Sequence, residues 1–135
     1  HTYFEKGLYT KELNTKSSQL AQQIEIRETV NNILKFVESS AENGLVVEGR
    51  DMGSVVFPDA TLKIYLDADE NIRSTRRIEQ SNNQETTDDI FERDRRDITR
   101  KNSPLVVPKG AITLKNNTST VDELVDEVIK NLELR

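Results

Sequence analysis

The chain's most constraining feature is an apolar run, Leu45-Val46-Val47, that stops abruptly at Glu48-Gly49-Arg50-Asp51-Met52-Gly53. A buried strand that ends in alternating charge at the edge of an α/β sheet has this look, because parallel strands are apolar throughout and present ligand-binding groups where they emerge. A charged turn after a strand accounts for Gly49 and Asp51 equally well, but it has no use for Arg50.

The periodicity on either side extends the same architecture. Residues 1–14 are polar with scattered aromatics and show no period. From Ser17 to Ser40, Leu20, Ile24, Val30, Ile33, Leu34 and Val37 recur at three- and four-residue steps, which predicts helix. Ser17 or Ser18 is the expected N-cap, Asn43-Gly44 the stop, and a slip near Gln23-Ile24 suggests two helices. Leu45–Glu48, Thr61–Asp67 and Ala111–Leu114 read as short strands. Asp69–Gln80 reads as a helix capped by Asp69, Ser81–Thr87 as a flexible polar loop, and Asp88–Lys101 as a charged helix ending before Pro104. Thr120 and Glu123 form a capping box ahead of an apolar stripe from Val121 to Leu132. Strands alternating with helices predict an α/β layer structure.

Composition narrows the chemistry. There is no cysteine, and the single histidine is His1, so thiolate, Ser-His and multi-histidine metal chemistry are excluded. Reactive groups must come from arginine, lysine, aspartate and glutamate. A net charge of -5 argues against general attraction to nucleic acid or acidic membranes. Hydrophobic content of 34% is compatible with a modest core, and no run approaches the roughly 20 apolar residues of a membrane span. With no secretory signal at its start, the chain reads as a soluble, cytoplasmic protein, expected to be monomeric.

The segment from Glu92 to Lys101 carries five cations and three anions in ten positions. On a helix, Arg93, Asp97 and Arg100 share a face, where two guanidiniums can grip phosphate oxygens and the carboxylate between them can accept a sugar hydroxyl. The plainer reading is a solvated helix laced with i,i+4 ion pairs. Arg73, Arg76 and Arg77 stand across the polar loop. Two arginine-bearing helices joined by a mobile loop make a lid over phosphates. Phosphoryl transfer suits such an inventory, since it demands positioning and charge stabilisation more than a nucleophilic side chain. No G-x-x-x-x-G-K-[ST] loop occurs in these residues.

Taken together, Glu48 to Gly53, Val55-Val56-Phe57-Pro58-Asp59-Ala60, Arg93-Asp94-Arg95-Arg96-Asp97 with Arg100, and Ser103-Pro104-Leu105 closely resemble bacterial cytidylate kinase, from about Thr10 to the last helix. The resemblance implies a P-loop nucleoside monophosphate kinase-like parallel sheet with helices on both faces, here missing the P-loop strand. It implies transfer of the γ-phosphoryl group of ATP, with Mg²⁺, to CMP or dCMP. Residues 1–44 then belong to the monophosphate-binding region and a connecting helix, and 45–135 to core strands, a lid at about 73–101 and the C-terminal helix. By the same resemblance Ser18, Arg27 and Asp51 read the cytosine edge, Arg50 holds the CMP phosphate, and Asp97 meets the ribose. Arg93 and Arg100 bridge donor and acceptor phosphates, and Arg76 and Arg77 are further lid cations. Glu48 lies at the strand end near Mg²⁺.

Ser18 as a mere helix cap and Arg27 as a solvated partner of Glu28 stay open. Lys115 stands where the family has an aspartate, Asn14 where it often has an arginine, and the lid is shorter by about two helical turns. The resemblance also makes the chain the larger C-terminal part of such a kinase, inactive alone, with the Leu45–Glu48 and Thr61–Asp67 strands left without their neighbour and apolar faces bare. The rivals are a non-catalytic nucleotide-binding fragment and an arginine-helix module for RNA or an acidic partner.

Overall fold

The structure, a computed structural model, describes residues 10–134, so the first nine residues and the readings placed on them lie outside it. In chain order the elements are α1 (Lys11–Leu20), α2 (Ile24–Ser39), a single π-helical turn (Met52–Val56), β1 (Ile64–Asp67), α3 (Glu70–Gln80), α4 (Thr87–Thr99), β2 (Ile112–Lys115) and α5 (Val121–Glu133). The strands pair in parallel, Ile64 opposite Ile112 and Leu66 opposite Leu114, with α3 and α4 in the crossover between them. The expected class holds: a small parallel sheet flanked by helices, as in nucleoside monophosphate kinases.

Local chemistry explains the boundaries. Thr10, not Ser17 or Ser18, caps α1, its hydroxyl accepting from Leu13 N–H at 3.3 Å. Ser17 and Ser18 sit inside the helix, which starts earlier than the apolar rhythm suggests because the cap, rather than burial, sets the start. The slip near Gln23 is a real break between α1 and α2. Asp69 occupies the N-cap position of α3 but its side chain makes no capping bond; instead its N–H donates to Asn117 Oδ1 at 2.8 Å.

The strand expected at Leu45–Glu48 does not form. Among the described residues no second chain segment lies alongside to complete its ladder, and Val46 is 98% exposed. An apolar run becomes a strand only where a neighbour accepts its N–H and C=O groups. The Thr61–Asp67 strand, expected to lack a neighbour, is instead partnered by β2. The expectation of bare apolar faces is met at Leu66 and along Val30, Ile33, Phe36 and Val37 of α2 and Val121, Val125, Ile129 and Leu132 of α5, all of which are exposed.

The loop expected at Ser81–Thr87 is a tightly bonded turn. Asn82 and Asn83 take left-handed φ of 53° and 61°, a region asparagine tolerates better than most residues. Asn83 N–H reaches Ile78 C=O at 2.8 Å, and the Ser81 hydroxyl donates to the same carbonyl at 2.9 Å. The turn runs into a reciprocal cap in which Asp89 N–H reaches the Thr86 hydroxyl at 3.3 Å and Thr86 N–H reaches Asp89 Oδ2 at 2.9 Å. Lys11, that backbone bond and the hydroxyl together hold the Asp89 carboxyl down from 3.8 to about 2. A carboxylate depressed in the folded state adds stability above its unfolded pKa and loses it as pH falls through the folded value. Asp89→Asn should therefore be less stable than the parent at pH 6 by about 1 kcal/mol. The gap should close between pH 4 and pH 2 when urea midpoints are compared; a gap that persists at pH 2 contradicts this origin.

Three hydrophobic side chains, Val56, Ile90 and Leu114, are fully buried among the described residues, against eight polar or charged ones. The best-enclosed part of the molecule is thus a polar site, not an apolar core. No described helix is long and apolar enough to cross a membrane.

Candidate active site

The π-helical turn builds the site's floor. Val56 N–H and Phe57 N–H bond back five residues, to Asp51 C=O at 3.3 Å and Met52 C=O at 2.7 Å. Such one-turn π segments cluster at functional sites because they re-aim adjoining side chains. Here the turn buries Val56 and leaves Asp51 only 3% exposed.

Asp51 meets two cations. Arg27 of α2 makes an ion pair through Nη2, and Arg100 Nη2 stands 4.0 Å from Oδ1. Arg27 therefore is not a solvated partner of Glu28. A further Arg27 bond, to Ala21 C=O at 3.2 Å, ties it to the α1–α2 break. Ser18, on α1, is buried with its hydroxyl unpaired.

Asp97 of α4 is the second hub, with Arg50 Nε at 3.2 Å and Arg100 Nη1 at 3.7 Å. Arg100 itself lies one residue beyond α4 in extended backbone, whereas the spacing placed it within the helix. The chain is pinned there by Leu105 N–H on Asp97 C=O at 2.7 Å and by Arg100 Nε on Ser103 C=O, so the guanidinium still turns back to Asp97 and Asp51. Asp94, one turn earlier, pairs with Arg73 of α3 and lies 3.4 Å from Arg50 Nη2. Arg77 Nε and Asn14 Nδ2 converge on Glu85 Oε2 at 3.1 and 3.0 Å.

Arg93 stands amid these groups, repelled by Arg77 and Arg50 and attracted by Asp97 and Glu85, with its Nε buried and unpartnered. Burial first, then those two arginines, push its pKa below the ordinary value. Arg100 is lowered likewise, by burial and then by Arg27, against the pull of Asp97 and Asp51. One Arg100 nitrogen, Nη2, also lacks a hydrogen bond. Both remain charged at neutral pH, since a guanidinium's ordinary pKa lies far above neutrality.

The inventory is lopsided. Six guanidiniums (Arg27, Arg50, Arg73, Arg77, Arg93, Arg100) share four carboxylates (Asp51, Asp94, Asp97, Glu85), leaving two surplus positive charges. This surplus sits inside a chain of net charge -5. A cleft of about 340 Å³ opens on one side of the network, where Arg93, Arg96 and Lys11 stand opposite Glu85, Asp89 and Glu92. Buried cations with unfilled donors make a receptor for a doubly charged anion such as a phosphate monoester.

Of the site residues expected from sequence, Arg27, Arg50, Asp51, Arg77, Arg93, Asp97 and Arg100 fall in this one network. Arg76 does not. Its two terminal nitrogens bond Asn116 C=O at 2.6 Å and Asn117 C=O at 3.2 Å, fastening the loop after β2. Glu48 is exposed and outside the network. Asp94 and Glu85 were missed, along with Asn14 as a partner of Glu85. Asp94 was visible in the arginine segment as a carboxylate one turn before Asp97. Glu85 carried no signal, since a lone glutamate in a polar loop is normally solvated.

A parallel βαβ crossover whose helices bring arginines over the strand ends defines a protein of the nucleoside monophosphate kinase class. Residues 2–134 match the cytidylate kinase family. The chain is 39% identical to a probable cytidylate kinase of Vairimorpha ceranae, over 90% of this chain and 57% of that protein. It is 34% identical to a cytidylate kinase of Streptomyces avermitilis, over 92% and 55%, and 31% identical to one of Aquifex aeolicus, over 97% and 61%. The chain belongs to the cytidylate kinase family, and it spans under two thirds of the length of these relatives.

Proposed function

We propose that this chain supplies the acceptor site and lid for transfer of the γ-phosphoryl group of ATP to CMP or dCMP. The surplus of two guanidinium charges, gathered in the most buried part of the molecule, carries this reading. In the reaction a phosphate oxygen of CMP attacks the γ-phosphorus of ATP as the bond to the ADP oxygen breaks, giving CDP and ADP. Arg50, Arg93 and Arg100 hold the acceptor phosphate and the moving group, with Arg77 behind them. Charge that spreads over the equatorial oxygens then meets donors already in place. Asp97 accepts from the ribose. Ser18, Arg27 and Asp51 read the base, where a wrong donor-acceptor pattern leaves buried groups unpaired.

Mg²⁺ enters this reading with ATP. Among the described residues no three His, Cys, Asp or Glu side chains are grouped to hold a metal ion, so these residues do not supply its cage and no step is assigned to it.

Calorimetry tests the acceptor site. CMP should bind at least about tenfold more tightly than AMP, because base discrimination rests on buried polar groups. Equal affinities, or binding that collapses with salt and ignores the base, would favour an arginine-helix interaction module instead. These 135 residues contain no phosphate-cradling glycine loop, so a coupled assay should detect no ATP-dependent CDP from them alone.

A further inference from the structure

We propose that Glu85 is a positioning residue that ties the helix bearing Ser18 to the arginines of the lid, so that the grip on phosphate depends on where α1 sits. The inference rests on the acceptor-site reading above and adds to it a residue that neither the motifs nor the family resemblance marks.

Glu85 belongs to the turn between α3 and α4, where a glutamate ordinarily points to water. Here it is 5% exposed. One oxygen, Oε2, receives Asn14 Nδ2 from α1 and Arg77 Nε from α3. Its backbone N–H donates to the Ser81 hydroxyl at 3.2 Å, which fixes the main chain from which the side chain departs. Its charge also reaches Arg93 on α4. Three helices therefore meet at a single carboxylate.

Simple charge neutralisation does not explain this arrangement. Arg77 alone would satisfy a buried carboxylate, yet the neutral amide of Asn14 adds a directional bond across a sequence separation of 71 residues. Arg93, the cation most in need of a partner, keeps its Nε unpaired beside Glu85. Glu85 thus sets the place of Arg77 and the spacing of α4 from α1 without occupying the donors of Arg93. Asn14 stands four residues before Ser18, on the same face of α1, and both are buried. A shift of α1 on base recognition is transmitted through Asn14 and Glu85 to Arg77.

The experiment compares the affinities of CMP and cytidine for the chain, their ratio being the contribution of the phosphate. In the parent, CMP should bind more tightly than cytidine. Glu85→Ala should cut that ratio by roughly tenfold, the worth of one charge-assisted bond, while cytidine affinity changes by less than about twofold. With Arg77→Gln already present, Glu85→Ala should lower the ratio no further. An unchanged ratio overturns the proposal. So does an increased one, which would show Glu85 to be only a competing anion, and so does an equal loss for both ligands, the mark of general loosening. Should Glu85→Ala not fold, Asn14→Ala keeps the Arg77 ion pair and should still lower the ratio about threefold; no change there also overturns it. Failure of the parent chain to bind CMP at all overturns the acceptor-site reading itself, a result distinct from any of these.

Discussion

Asp51→Ala is expected to destabilise the chain by about 3–5 kcal/mol, the range for removing one member of a buried ion-pair cluster. Asp51 is among the most buried carboxylates, and it faces Arg27 and Arg100. Arg100 is held below its ordinary pKa by burial and by the nearness of Arg27, and Asp51 is one of two carboxylates that counter this. Removing it leaves two largely buried cations facing each other. Asp51→Asn keeps the shape and one acceptor oxygen, so it should cost less in stability, while on the proposed reading it still upsets the donor-acceptor pattern offered to the base. The check is chemical denaturation of both variants at pH 7, with and without CMP. If Asp51→Ala unfolds within about 1 kcal/mol of the parent, the cluster is not the keystone the geometry makes it.

Asp51 carries this much because the molecule puts its burial into polar groups. Only Val56, Ile90 and Leu114 are buried apolar residues among those described, so the charged network also anchors α2, the π-helical turn, α3 and α4 to one another. That organisation explains what could be read in advance. Helix α5 was visible because Thr120 and Glu123 advertise its start and its stripe repeats cleanly. The arginine helix was visible because cations three and four apart must share a face. Leu45–Glu48 was misread because a strand is a property of a pair, and the sequence shows one partner at a time. The π-helical turn was hidden for a related reason: bonds from Val56 and Phe57 that reach back five residues have no repeating signature in five residues. Arg76 and Arg77 look alike as neighbours in sequence, but successive helical positions point about 100° apart, sending one to Asn116 and the other to Glu85. Glu85 needed the fold, because its burial depends on Asn14 and Arg77 arriving from distant segments.

Arg93→Met should move stability and binding in opposite directions. Arg93 is half-buried, with Arg77 and Arg50 as its nearest repulsive neighbours and an unpartnered Nε. Replacing the guanidinium by an apolar side chain of similar length relieves that repulsion and the burial of charge. Because the site is partly solvated, screening keeps the gain small, about 0.5 kcal/mol. On the proposed reading the same change removes a donor to the phosphate, and CMP affinity should fall by roughly 100-fold, the loss of one bidentate charge-assisted contact and its field. Cytidine, which lacks the phosphate, should bind nearly as before. The sign of each effect matters more than its size. Residues kept for packing lose stability when replaced, whereas a group held in place for a ligand costs the free protein stability that the ligand returns. Thermal unfolding of parent and variant with and without CMP reads both quantities at once. The parent should gain from CMP what the variant does not. An Arg93→Met chain that melts lower than the parent, yet keeps its CMP-induced rise, would assign Arg93 to the scaffold and remove it from phosphate binding.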